Sequence, residues 1–357
     1  MRAMPIGQRI RTRLAAGAAA VAVLIAAVAC TTATVGPHQG PGQGQSPSQG
    51  PSQGQSASQG QNAGLVVATA DGAVRGKAVA ATDEFLGIPY AAPPVGALRW
   101  QPPRPPAPWH GVRPAVSYAP HCSQSSSPFD VASTSEDCLY LNVFTPADNN
   151  ARTLPVMVWV HGGSLRTGES DDYNPAGLVQ HGVIVVTINY RLGALGFLAD
   201  AALAGRPGGP SGDYGLMDQQ AALRWVQRNI RGFGGDPGNV TLFGESAGGL
   251  STLSQLVSPG ARGLIQRAIV ESGTYELTEQ SLASAESAGD AFAAKVGCAS
   301  DAVPARDTAA CLRRLPVSTI LADQNPVGYN PDLDGSRPRS TCCCSTPSAV
   351  AARRVTS

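Results

Sequence analysis

Val240-Thr241-Leu242-Phe243-Gly244-Glu245-Ser246-Ala247-Gly248 is the stretch on which the fold is read. Val240–Phe243 reads as a short strand and Ala247–Val257 as a helix, with Gly244-Glu245-Ser246-Ala247-Gly248 between them. A serine at such a sharp strand-to-helix turn is held in a strained backbone conformation, its hydroxyl projecting above the sheet. Glycines flank it because a side chain there would collide with the neighbouring strand and helix. The Ala247 N–H, at the helix N-terminus, points where a tetrahedral oxyanion would form. G-x-S-x-G pentapeptides occur by chance, so the weight lies in the strand–turn–helix context.

Upstream, the apolar run Val156–Val160 stops at His161-Gly162-Gly163. Glycine N–H groups in such a loop can approach a substrate oxygen closely, because no Cβ intervenes. Gly162, Gly163 and Ala247 together would offer three donors to one oxyanion, so the two motifs read as acyl-transfer machinery. Leu139–Phe144 alternates and Val183–Ile188 is a β-branched run. Met217–Ile230 places Leu223, Val226 and Ile230 on one helical side, and Ala268–Val270 is a further strand. Alternating units of this length predict an α/β fold with a mostly parallel central sheet flanked by helices. Residues 65–90 read as a small antiparallel sheet ahead of it.

These residues resemble the carboxylesterase type B family of α/β-hydrolases. The resemblance covers about 65–335. It rests on Phe85-Leu86-Gly87-Ile88-Pro89-Tyr90-Ala91, Glu136-Asp137-Cys138-Leu139-Tyr140-Leu141-Asn142-Val143 and Pro155-Val156-Met157-Val158-Trp159-Val160-His161-Gly162-Gly163. It continues in Asn189-Tyr190-Arg191-Leu192-Gly193, Gly232-Phe233-Gly234-Gly235-Asp236-Pro237 and Gly244-Glu245-Ser246-Ala247-Gly248-Gly249. The resemblance implies an α/β-hydrolase fold and hydrolysis of a small-molecule carboxylic ester without metal or organic cofactor. It implies Ser246 as nucleophile, an oxyanion hole of Gly162, Gly163 and Ala247, and a Cys122–Cys138 disulfide. Cys298–Cys311 resembles the family's second disulfide. Glu245 either tunes the field at the serine or packs under it. Arg191, Asp218 and Asp236 read as ion-pair or turn residues, and His161 as a shaper of the glycine loop.

An activated serine needs a base, and an acid that orients the base; in this fold the chain order is serine, acid, histidine. All five histidines, His38, His110, His121, His161 and His181, precede Ser246. Asn330-Pro331-Asp332-Leu333-Asp334-Gly335 resembles the family segment that leads to the catalytic acid, and the resemblance stops after about Arg337. The stretch from Thr341-Cys342-Cys343-Cys344 to Ser357 resembles no family segment and reads as a frameshifted tail, 338–357. The expectation is an α/β-hydrolase domain over 64–337 that lacks its C-terminal strands, acid and histidine, and has reduced activity. An unpaired sheet edge and poor solubility go with it. The rival readings are a catalytically silent binding module of the same fold and a nonfunctional fragment.

Arg2, Arg9, Arg11 and Arg13 precede an apolar run from Leu14 to Cys30, which predicts an exported chain with a signal peptide over 1–30. Ala27-Val28-Ala29-Cys30 suits an ordinary signal peptidase and also resembles a lipobox. The reading favours lipidation of Cys30 and anchoring to the cell membrane, with plain secretion or a retained anchor as alternatives. Residues 31–63, rich in Gly, Gln, Ser and Pro, read as a flexible tether. Local pairing of Cys122 with Cys138 and Cys298 with Cys311 would close loops worth roughly 3 kcal/mol each, although spacing alone does not fix the connectivity. The net charge is +1 and 14% of residues are charged, so no basic field exists to recruit nucleic acid.

Overall fold

The computed structural model describes residues 65–148, 153–204, 211–273, 280–299, 307–324 and 331–333. The expected leader with Cys30, the tether and the tail 338–357 lie outside the described residues.

Strands β1 (Val66–Thr69) and β2 (Gly72–Arg75) form an antiparallel hairpin. Next come β3 (Lys77–Val79) and β4 (Thr82–Pro89), also antiparallel, and β5 (Val112–Pro114), which pairs parallel with β2. The region 65–90 therefore divides between two sheets. β1 and β2 form the expected hairpin, whereas β4 crosses to pair with β6 (Tyr140–Pro146). Burial explains the division: Phe85, Leu86 and Ile88 are at most 2% exposed, so β4 needs cover on both faces.

The chain continues through β7 (Leu154–Val160), α1 (Ala176–Val179), β8 (Ile184–Ile188), α2 (Gly193–Phe197) and α3 (Tyr214–Asn229). β9 (Gly235–Glu245), α4 (Ala247–Val257) and β10 (Arg267–Glu271) follow. The central sheet has the order β10-β9-β7-β8-β6-β4-β3. Its pairs are parallel from β10 to β8 and antiparallel from β8 to β3. The parallel half, with its βα connections, carries the serine motif and the glycine loop; the antiparallel strands extend the same sheet away from them.

Helices cover both faces. Val156, Val158 and Val160 of β7 join Leu223, Trp225 and Val226 of α3 and Leu250 of α4 in one core. Leu86, Phe144 and Val185 pack with Val179 of α1 in a second. Each fully buried aliphatic side chain is worth about 1.5–3 kcal/mol against exposure. The alternation read in Leu139–Phe144 proves to be internal. Asn142 is 2% exposed; its Oδ1 accepts from Gly87 N (2.9 Å), and its Nδ2 donates to Ser170 Oγ (3.0 Å) and Thr187 Oγ1 (2.9 Å). A polar residue on this strand satisfies its hydrogen bonds inside the protein.

Beyond β10 lie β11 (Gln280–Ser281), α5 (Leu282–Lys295), α6 (Thr308–Arg314), α7 (Val317–Asp323) and β12 (Asp332–Leu333), which pairs with β11. Disulfides join Cys122 to Cys138 and Cys298 to Cys311, the second tying the segment after α5 to α6. Such bonds persist in oxidising compartments, consistent with an extracytoplasmic protein. Among the described residues no helix is long and apolar enough to cross a membrane. Among them, too, β10 pairs only with β9, and Ile269, Leu256 and Val257 nearby are 43%, 54% and 49% exposed.

Candidate active site

Ser246 joins β9 to α4 with φ 54° and ψ −120°, a conformation that L residues rarely adopt. The strain is held from two sides. Ser246 N donates to Glu271 O on β10 (2.8 Å), and its carbonyl accepts from Leu250 N (2.9 Å) in the first turn of α4. The turn is tight enough that a Cβ on Gly248 would run into the Val160 carbonyl at the end of β7. Ala247 is fully buried and opens α4, so its N–H has no intrahelical partner.

The glycine loop closes over this turn. A Cβ on Gly162 would lie 2.9 Å from Glu245 O and 3.3 Å from Ser246 Cβ, so the Gly162 backbone packs directly beside the serine. Gly163, Ser164 and Leu165 then take φ values of 92°, 56° and 58°. Arg166 N and Thr167 N both donate to Gly163 O at 3.0 Å, completing one left-handed turn. The N–H groups of Gly163 and Ser164 lead this turn and are not bonded within it. Ser164 was missed by sequence reasoning, because a positive φ is legible only where glycine announces it. Buried Leu165 (1% exposed) anchors the turn, its carbonyl accepting from Gly193 N at 2.6 Å.

His161 sits under the loop. Its ring stacks on Tyr190 at 4.4 Å, its Nδ1 donates to Gly162 O (2.9 Å), and its own carbonyl accepts from the Tyr190 hydroxyl (2.8 Å). Burial lowers its pKa to about 4. The unfolded imidazole titrates near 6.5, so the unfolded chain binds the proton first as pH falls. Stability is therefore complete above about pH 6.5 and declines towards pH 4, by about 3 kcal/mol from this group alone. Urea midpoints at pH 7.5 and 4.5 should show the decline. His161→Gln should flatten it; an equal slope in the variant would exclude His161 as its source.

None of the hydrogen bonds of the described histidines goes to Ser246. His110 and His181 are exposed. His121 instead bridges two carboxylates, Nδ1 to Glu169 Oε2 and Nε2 to Asp171 Oδ1, each at 3.0 Å. Burial pushes Glu169 up to about 7; His121 pulls it down, while Asp172, Asp171 and Asp130 push it further up. Asp130, Glu169 and Asp172 bring one oxygen each within 4.8 Å of one another. They are the described residues that could best meet a cation, though His121 and Gln124 already hold one Glu169 oxygen.

The other residues singled out in the sequence make the following contacts. Arg191 and Asp218 form a buried ion pair at 2.7 Å, and Asp236 Oδ1 caps a turn by accepting from Gly238 N (2.9 Å). The Glu245 carboxylate lies against Gly162, with an oxygen 3.2 Å from where a Cβ would stand. Asp332 is buried (1% exposed), its N–H donating to Asp213 Oδ1 at 3.2 Å.

Residues 63–338 match the model of the Carboxylesterase family. Fumonisin B1 esterase of Sphingopyxis macrogoltabida is 43% identical over 277 residues, covering 76% of this chain and 51% of the relative. Para-nitrobenzyl esterase of Bacillus subtilis is 46% identical over 232 residues, covering 62% and 47%. A structure of PNB esterase superposes with a TM-score of 0.70 at 38% identity, over 76% of this chain and 58% of that one. A Geobacillus stearothermophilus carboxylesterase gives 0.68 at 39%, over 76% and 57%. The chain thus spans about half the length of the curated relatives it matches. The family model spans most of the chain and the central sheet superposes on solved esterases, so the chain belongs to the carboxylesterase family.

Proposed function

We infer that this chain carries the acylation half of a carboxylic ester hydrolase, with Ser246 as its nucleophile. The observation that carries the reading is the backbone of Ser246 at φ 54° and ψ −120° beside Gly162. Strain of this kind costs about 1–3 kcal/mol and persists where a site needs it. In the reaction, Ser246 Oγ adds to the ester carbonyl carbon as its proton passes to a base. The carbonyl oxygen becomes an anion facing the N–H groups of Gly162, Gly163 and Ala247, with Ser164 adjoining them. Collapse reforms the carbonyl and breaks the bond to the alkoxy oxygen, which takes the proton from the base and leaves as the alcohol; water then adds to the acyl-enzyme, giving the acid and returning a proton to Ser246 Oγ. Each well-placed oxyanion donor is worth roughly 10²–10³ in rate. The described residues supply no base to Ser246, so turnover depends on where that base comes from. The relatives are named as esterases of chemically varied compounds, which supports a small-molecule carboxylic ester as the substrate class.

An alkyl fluorophosphonate tests the reading on the full chain. The folded protein should be labelled, with the adduct located on the peptide containing Ser246, and the heat-denatured protein should not. A folded chain that leaves the probe untouched would mean that this chain does not activate Ser246, which removes the hydrolase reading and favours a binding module on the same fold.

A further inference from the structure

We propose that Gln124 is a positioning residue for the oxyanion loop, setting where the loop amides stand relative to Ser246. The proposal rests on the ester-hydrolase reading above and adds a residue 44 positions from the loop end it grips.

The loop has two ends. Its beginning, Gly162, is packed on the serine turn. Its far end, Gly168, is gripped by one side chain: Gly168 N donates to Gln124 Oε1 (2.8 Å), and Gln124 Nε2 donates to Gly168 O (3.3 Å). Two bonds from one planar carboxamide fix both the position and the tilt of that backbone. Gly168 takes φ 110° and packs back against the His161 ring; a Cβ there would come within 2.7 Å of Gly162 O. A displacement at Gly168 is therefore passed to Gly162, and from there to the neighbourhood of the Ser246 Cβ.

The clamp is itself held. Gln124 is 1% exposed, and Glu169 Oε2 accepts from its Nε2 at 3.0 Å, which fixes which end of the amide is oxygen. His121 Nδ1 holds the same carboxylate oxygen at 3.0 Å and is braced by Asp171 on its other nitrogen at 3.0 Å. The backbone of Gln124 exchanges two hydrogen bonds of 2.9 Å with Ser133, and Cys122, two residues earlier, is bonded to Cys138. The grip thus comes from a segment held by its own backbone pairing and by a disulfide that ends just before β6. Gln124 touches no reacting atom, so its effect on the chemistry passes through the loop alone.

The test compares the full-length chain with Gln124→Met, which keeps the volume and removes both bonds to Gly168. With an alkyl fluorophosphonate as probe, the maximal labelling rate should fall about tenfold or more while the probe's KI stays within about twofold, since a 1 Å misplacement can cost about 10²-fold. An unchanged maximal rate overturns the proposal. Glu169→Ala releases the clamp without touching Gly168 and serves if Gln124→Met does not fold; the rate should again fall at constant KI, and no fall overturns the proposal. Amide hydrogen exchange over 162–168 gives a readout free of activity. It should quicken in either variant, and unchanged exchange counts against the clamp even if the wild-type chain is never labelled. A wild-type chain unlabelled at Ser246, with loop exchange quickened in the variants, removes the hydrolase reading and leaves the clamp standing.

Discussion

Asp218→Ala should cost about 3–5 kcal/mol of stability, because it strands a buried guanidinium. Asp218 on α3 is fully buried and Arg191 is 4% exposed. Three hydrogen bonds join them: Arg191 Nε to Oδ2 at 2.7 Å, Nη2 to Oδ1 at 2.8 Å and the Arg191 backbone N to Oδ2 at 3.1 Å. Arg191 Nη1 is buried with no hydrogen-bond partner among the described residues, and the guanidinium lies 5.4 Å from the centre of the Tyr214 ring. Among the described residues no second carboxylate pairs with Arg191, so its charge is left to the Tyr214 ring once Asp218 is gone. The double variant Arg191→Met with Asp218→Leu should recover most of the loss, since a buried ion pair replaced by apolar groups of similar volume is often neutral or better. Urea unfolding of the three chains decides it. A single-variant loss below about 1 kcal/mol would mean that the pair contributes little to this fold. The effect should also reach the site, because Arg191 directly follows Tyr190, on which the His161 ring stacks.

What the sequence made legible is what neighbouring residues determine. The serine turn needs glycine within two residues on each side, and the helix read over Ala247–Val257 has those bounds in the structure. Both disulfides close short loops and have the local connectivity that the family resemblance implied, which spacing alone left open. The buried strand at Val156–Val160 announced itself as an apolar run and the one at Val183–Ile188 as a β-branched one, though the latter starts at Ile184. What escaped depends on partners far along the chain or on conformations that composition does not signal. Ser164 and Leu165 are left-handed because Arg166 and Thr167 close a turn onto Gly163, and no residue type at 164 or 165 demands that. The Gln124 grip on Gly168 is a side-chain contact with no periodicity to betray it. Likewise β4 looked like part of a small separate sheet, because its register with β6 depends on burial of both faces rather than on its own hairpin.

Gly248→Ala should lower the labelling of Ser246 by about 100-fold while leaving most of the fold intact. The added methyl would meet the Val160 carbonyl oxygen, with the Val160 carbon at 2.8 Å and the His161 carbonyl oxygen at 2.9 Å also inside normal contact. β7 cannot retreat, because it is paired along its length with β8 on one side and β9 on the other. The start of α4 must therefore lift. That start carries Ser246 and the Ala247 amide, so the proposed nucleophile and one proposed oxyanion donor move away from Gly162 and Gly163 together. A shift near 1 Å accounts for the expected loss, and the strain adds a stability cost of about 1–3 kcal/mol. Gly177→Ala on α1 is the matched control. A Cβ there meets nothing within 4 Å, and alanine is favoured over glycine in a helix by about 1 kcal/mol. Phosphonylation rates should separate the two alanines although each adds a single methyl group. Equal rates would mean that the Val160 carbonyl does not fix the helix start, and that Gly248 serves the turn for another reason.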